Sequence, residues 1–281
     1  MPSDCGLSLE ALGNHDIFDK IVHLAKSVVQ INMRKHLGND RYGTGFFICR
    51  DPPILITAKH VLPTEKTIAS SYIRFNYDSK TRKKANDDIF NLNEGITPFI
   101  SNKLDCTFIK FRESSNLDFN VAKDQGSSDP CDFLSGLSEE QQSISIIHHP
   151  GNSHKLIATR NERCNYVQGN PLNVRLWFAE LKIFDHKLLR DLKDGSVFVY
   201  WGIKAVSNAP FWFTRGGSSG APVFNHDWKL IGMHTCGGAD ISCINKKTGI
   251  REQIKDFISV GIPYNSIKKD LEEYETCFDR D

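Results

Sequence analysis

Residues 214–225 read TRGGSSGAPVFN: two adjacent serines, Ser218 and Ser219, stand among Gly216, Gly217, Gly220 and Ala221, and Pro222 closes the stretch. Glycine reaches backbone conformations that side chains forbid and lets an N–H come close to a bound group, so this turn is suited to presenting N–H groups around one serine hydroxyl. It is built for an oxyanion. A serine alone is a weak nucleophile, however. It needs a base to take its proton and a third group to orient that base.

Working outward, PPILITAKHVL (52–62) sets His60 just after an apolar strand, where alternation stops and an imidazole would stand at a strand end near a cleft. NKLDCTFIKF (102–111) puts Asp105 at the head of another apolar strand, where its carboxylate is expected to be buried against the imidazole N–H. Each signal is weak alone, because a strand-end histidine is commonly an ordinary surface or core residue. In the order His60, Asp105, Ser219 they support one another.

The remainder of the chain fits a β-rich globule. Short β-branched and aromatic runs recur between turn residues: SVVQINM, GTGFFICR, PILITA, CTFIKF, SISIIHHP, VRLWFAEL, SVFVYWGI and KLIGMH. They predict a barrel or sandwich. Helix signals are confined to the two ends. Asp16 would cap a segment carrying Ile17, Ile21, Val22 and Leu24, and Asn265 or Ser266 would cap one carrying Ile267 and Leu271. A polar stretch at 76–95 holds Arg82, Lys83 and Lys84 and reads as a solvated loop; a Ser-, Asp- and Gly-rich stretch at 113–142 reads as a connection.

Composition excludes several classes. With 35 Lys and Arg against 34 Asp and Glu, the net charge of +1 leaves no footprint for nucleic acid or an anionic membrane. No apolar run is long enough to span a bilayer, and MPSDCGLSLEALG lacks the basic and apolar regions of a secretory signal, so a cytoplasmic location is expected. The 8 cysteines form no CxxC pair and read as reduced thiols. A zinc reading of His226, His234, Cys236 and Cys243 matches none of the usual finger spacings.

TAKHV, LDCTFIKF and GGSSGAPVF together resemble the three catalytic blocks of chymotrypsin-fold serine peptidases, over about Val28 to Leu271. The likeness is closest to the staphylococcal glutamyl endopeptidase type, whose features also appear in IIHHPGN (146–152) and LIGMHTCGG (230–238), although His148 and His149 depart from the usual Gly-Tyr-Pro-Gly. The resemblance implies an all-β fold of two antiparallel barrels, with a short N-terminal helical segment and a C-terminal helix. The expected units are an N-terminal extension (1–27), a first barrel with His60 and Asp105 (28–115), a connection (116–142), a second barrel with Ser219 (143–261) and the C-terminal helix (262–281).

The resemblance also implies a function. Ser219 would be the nucleophile, with Ser218 its nearest rival, His60 the base and Asp105 its orienting acid. The N–H groups of Gly217 and Ser219 would hold the oxyanion, with no metal or other cofactor. Digestive-type relatives carry an aspartate before the nucleophile that pairs with a new N-terminus, whereas this chain has Ser218 there, so a formed site is expected without processing. Thr214 and His234 match in offset and type the pair that reads an acidic side chain, which makes Glu, slightly ahead of Gln, the expected residue at the cleavage position. The substrate would be a protein or peptide, and the loop at 76–95 and the segment before Val28 are candidate contacts for a regulatory protein partner. Two other classes stay open: a silent peptide-binding module using the same cleft, and an HtrA-like protease and chaperone, for which few residues follow Leu271.

Overall fold

Strand β1 (Val28–Met33) is buried along its whole length, yet it alternates apolar and polar side chains. Val29, Ile31 and Met33 lie on one face and join the core, while Gln30 and Asn32 lie on the other. That polar face is not solvated. Gln30 Nε2 donates to Asn152 Oδ1 at 3.0 Å, and Asn32 Nδ2 donates to Gln30 Oε1 at 3.2 Å. Asn152 belongs to the second half of the chain, so the two halves meet through hydrogen-bonded polar groups as well as apolar packing.

This arrangement comes from a computed structural model that describes residues 15–34, 41–48, 53–78, 89–93, 95–112, 142–164, 199–203, 214, 216–225, 227–237, 242–244, 251–253 and 257–278. The first sheet adds β2 (Arg41–Ile48), β3 (Ile54–Thr57), β4 (Ser71–Arg74), β5 (Ile89–Asn91), β6 (Ile96–Ile100) and β7 (Thr107–Phe111) to β1, in the order β5-β4-β1-β2-β3-β7-β6. It curls on itself, since Phe90 on the edge strand β5 meets Phe111 on β7 at a centroid separation of 5.4 Å. Phe111 also packs on Phe47, and Phe47 on Phe75, so aromatic rings fill this interior.

The second sheet contains β8 (Gln142–His148), β9 (Leu156–Cys164), β10 (Val199–Ile203), β11 (Pro222–Phe224), β12 (Leu230–Gly237) and, in chain order after the hairpin β13 (Ser242–Ile244) and β14 (Arg251–Gln253), β15 (Phe257–Pro263). Its order is β10-β15-β12-β11-β8-β9, and its two edge strands lie against each other. Every strand pairing among the described residues is antiparallel. The expected mostly-β architecture of two antiparallel sheets with a C-terminal helix is therefore present.

Helices occur at both ends, with corrections at their caps: the first begins at His15, so Asp16 lies inside it instead of capping it. Helix α1 (His15–Lys26) buries Ile21 and Leu24 but leaves Val22 exposed. The C-terminal helix, α3 (Tyr264–Phe278), starts directly after β15, so Asn265 and Ser266 lie inside its first turn instead of capping it. Between them lies a short helix that periodicity does not reveal, α2 (Glu65–Ala69), whose start is set by Thr64 accepting from the Thr67 N–H. Five residues with a single buried side chain, Ile68, give no periodic signal. No helix among the described residues is long and apolar enough to cross a membrane.

Helix α3 carries the chain back to the first sheet. Ile267, Leu271 and Tyr274 form its buried stripe. Tyr274 stacks on Phe99 of β6 at 4.4 Å, and Glu273 pairs with Lys103 in the loop between β6 and β7. That loop holds Asp105. The basic cluster Arg82–Lys84, most of the connection at 113–142 and the VRLWFAEL run lie outside the described residues. Replacing Tyr274 with alanine removes a buried aromatic ring and is expected to cost about 3 kcal/mol in chemical unfolding, whereas Lys103→Ala, which breaks an exposed ion pair, should leave the midpoint almost unchanged.

Candidate active site

His60 is placed by a tight turn. β3 ends at Thr57, and Ala58 O then accepts from the N–H groups of Val61 and Leu62 at 3.0 and 3.3 Å, bending the chain so that His60 leaves the sheet. The Asp105 carboxylate grips this turn at two points: Oδ1 accepts from the His60 backbone N–H at 2.9 Å, and Oδ2 lies 2.7 Å from His60 Nδ1. Because a carboxylate only accepts, Nδ1 carries the ring proton, leaving the Nε2 lone pair for base chemistry.

Asp105 has its own scaffold. Ser101 Oγ accepts from the N–H groups of Lys103 and Leu104, Ser101 N–H donates to Cys106 O, and Lys59 Nζ donates to Ser101 O at 2.7 Å. The residue before His60 thus binds the loop that carries Asp105. Cys106 is fully buried behind it, and desolvation pushes its thiol well above the usual range, as expected of an inert core thiol. One expectation is corrected: the Asp105 side chain is 35% exposed and His60 44%, so the pair is reachable from solvent instead of buried. The chain turns here through a short polar loop, which leaves one side of the carboxylate uncovered.

Ser219 lies in the turn before β11. The backbone on either side has the positive φ that favours glycine: 97° at Gly217 and 87° at Gly220. A Cβ on Gly220 would come within 2.1 Å of Thr44 O and 2.4 Å of Thr57 Oγ1, and one on Gly217 within 2.6 Å of His149 O. The glycines admit close backbone contact with both sheets. Among the described residues no hydrogen bond occupies the N–H of Gly217 or of Ser219. The Ser219 hydroxyl donates to Thr235 O at 3.1 Å, so it must leave that acceptor to share its proton with an imidazole.

Thr44, at the middle of β2, joins the serine turn to the His60 strand. Its N–H donates to Ser219 O at 2.9 Å and its hydroxyl to Gly217 O at 2.7 Å; the same hydroxyl accepts from His149 N–H at 3.0 Å, and its carbonyl accepts from Thr57 Oγ1 at 2.7 Å. Thr44 and Thr57 are fully buried. Sequence reading passes over Thr44 because one threonine in a strand is ordinary. The signal lies in its neighbours: a Cβ on Gly43 would meet Val61 Cγ1 at 2.4 Å and one on Gly45 would meet Ile31 and Leu55 at 2.9 Å, so Gly-Thr-Gly marks close approach.

His234, on β12, is tied to the serine turn by backbone bonds: Gly220 N–H donates to His234 O at 2.7 Å, and His234 N–H to Ala221 O at 2.8 Å. Its side chain and that of Thr214 are both buried. Arg215 and His226 lie outside the described residues, as do the side chains of Cys236 and Cys243. Burial drives His234 down to about 3, with the nearby His148 and His60 adding to the effect. His148 falls to about 4 by burial, and His149 to about 3 by burial with Lys155 contributing. Three neutral imidazoles therefore surround the serine turn at neutral pH.

Comparison with known proteins gives one family and one fold. Residues 43–233 match the family model described as Trypsin-like peptidase domain. An uncharacterized protein of Sinorhizobium fredii, y4fB, is 25% identical over 233 residues, covering 79% of this chain and 29% of its own length. The chain thus spans less than a third of that relative. Among solved structures, the active form of the Rv3671c protease from M. tuberculosis superposes with a TM-score of 0.50 at 12% identity, covering 92% of this chain and 86% of that one. The inactive serine-to-alanine mutant of Rv3671c gives 0.50 at 13% identity, covering 92% and 94%. At such identities the likeness is one of fold, the chymotrypsin-like pair of antiparallel sheets.

The buried histidines fix a pH response. Unfolded, each imidazole binds a proton below its ordinary value of about 6.5; folded, these three resist until about 4 or 3. Their stabilisation is complete above the unfolded value and is lost as pH falls through that interval. The urea midpoint is expected to stay level from about pH 8 to 7 and to fall steadily from about 6.5 to 4. A level midpoint across the acid interval contradicts neutral burial.

Proposed function

The chain belongs to the trypsin-like peptidase domain family, and we propose that it is a serine endopeptidase acting on protein or peptide substrates, with Ser219 as nucleophile, His60 as general base and Asp105 as the group that orients the base. The observation carrying this reading is the two-point grip of Asp105 on His60, at the backbone N–H and at ring Nδ1. One carboxylate fixes both the position and the tautomer of the imidazole. The Thr44 hydrogen bonds support the reading by holding the Ser219 turn to the strand hairpin that leads to His60.

In the proposed reaction Ser219 Oγ attacks the substrate carbonyl carbon while His60 Nε2 takes its proton. Asp105 stabilises the imidazolium that results. The negative charge gathers on the former carbonyl oxygen and is met by the N–H groups of Gly217 and Ser219, a contribution that typically stands at about 3 kcal/mol per donor. His60 then passes the proton to the leaving amine. Water, deprotonated by the same imidazole, attacks the acyl-enzyme ester and releases Ser219.

For the cleavage position we propose Glu or Gln, read by His234 and Thr214 as in the glutamyl endopeptidase type. Cytosolic protein substrates are the proposed targets, in keeping with 8 cysteines that form no CxxC pair.

Ser219→Ala is expected to abolish both peptide cleavage and labelling by a fluorophosphonate, and Asp105→Asn to lower kcat on the order of 10³- to 10⁴-fold. Labelling that survives Ser219→Ala and maps to Ser218 overturns the assignment. Profiling on a peptide library should return Gln and Glu at the cleavage position, with His234→Ala erasing that preference. A basic or large aromatic preference refutes the pocket and leaves the nucleophile untouched.

A further inference from the structure

The segment His148–Gly151 runs antiparallel beside the segment Gly216–Ser218. Gly151 N–H donates to Gly216 O at 2.6 Å; a Cβ on Gly217 would come within 2.6 Å of His149 O; and His148 Nδ1 is hydrogen-bonded to Ser218 Oγ at 2.9 Å. The two runs therefore match end to end, with the side chain at 148 making the contact nearest the proposed nucleophile. His148 and Ser218 are both buried.

Resting on the reading of Ser219 as nucleophile, we propose that His148 is a positioning residue: by holding the Ser218 hydroxyl it fixes the peptide that precedes Ser219, and with it the direction of the Ser219 N–H. Ser218 is fully buried while Ser219 beside it is partly exposed, so securing Ser218 inward leaves Ser219 on the accessible side. The anchor is rigid at its other end, because His148 closes β8 and β8 pairs with β11, the strand that leaves the serine turn, through Val223↔Ile146 and Phe224↔Ser145. Both ends of the turn are thus referred to one strand pair. A buried pair of this kind holds its geometry because neither partner has water as an alternative. This gives the departure His148-His149-Pro150-Gly151 a role: the position before the nucleophile carries a hydroxyl instead of a carboxylate, and an imidazole from the same sheet meets it.

The test is steady-state kinetics on a peptide substrate, with fluorophosphonate labelling rates, for His148→Ala, Ser218→Ala, the double variant and His148→Asn. A misaimed donor should lower kcat and the labelling rate about 10- to 100-fold with KM changed less than about threefold. Ser218→Ala should match His148→Ala, and the double variant should be no worse than either, since both break one hydrogen bond. His148→Asn, whose amide nitrogen can occupy the place of Nδ1, should restore kcat to within about threefold of the parent. Ser218→Ala alters a single oxygen and keeps the test decisive if His148→Ala fails to fold. Unchanged kcat and labelling in Ser218→Ala, or independent losses that multiply in the double variant, overturn the proposal while labelling at Ser219 in the parent protein leaves the nucleophile reading standing. Absence of labelling at Ser219 in the parent removes both.

Discussion

The hydrogen bonds of Thr44 are the constraint on which the site depends. One residue of the first sheet binds two carbonyls of the serine turn, receives an N–H from His149, just beyond β8 of the second sheet, and accepts the hydroxyl of Thr57, three positions before His60. Its four polar contacts are made with no access to solvent. In such surroundings an unmade hydrogen bond costs about 1–3 kcal/mol, so the sheets can approach in only one register without orphaning a buried group. Gly220 follows from this demand, since a Cβ there would meet Thr44 O at 2.1 Å, whereas Gly43 and Gly45, on either side of Thr44, clear space for Val61 and for Ile31 and Leu55.

Around that junction the chemistry is divided by layer. The His60–Asp105 pair is solvent-accessible, whereas His148, His149 and His234 are buried and neutral. The exposed imidazole thus stands apart from the buried ones, and the latter provide fixed dipoles without a competing charge near the serine turn. His149 shows how such a group is held: its ring stacks on Tyr77 at 6.0 Å, Tyr77 lies under the Arg74 guanidinium, and its Nδ1 is 3.2 Å from Ser153 O. Helix α3 adds support from outside by packing against the loop that carries Asp105.

Much of this is legible in the sequence, and the reasons differ by residue. The mostly-β fold follows from short β-branched runs between turn residues, and the pairing of His60 with Asp105 can be suspected because each stands at the end of an apolar strand. Gly217 and Gly220 announce positive φ. Thr44 and His148 do not announce themselves, since their importance lies in contacts across 173 and 70 positions of chain, respectively. No local periodicity encodes those distances. Helix α2 escapes for the opposite reason: it is fixed by one local cap and is too short for a pattern. His60 and Asp105 are also more exposed than strand-end reasoning suggests, because burial depends on how the loops between strands close.

A serine turn clamped by Thr44 can present Ser219 and the N–H groups of Gly217 and Ser219 to one reacting centre. A crystal structure of the protein after reaction with a fluorophosphonate puts this to the test. Phosphorus is expected on Ser219 Oγ, with one phosphoryl oxygen at roughly 2.7–3.1 Å from the N–H nitrogens of both Gly217 and Ser219, and Thr44 still bound to the carbonyls of Gly217 and Ser219. An adduct on another residue, or a phosphoryl oxygen directed away from both N–H groups, would refute it.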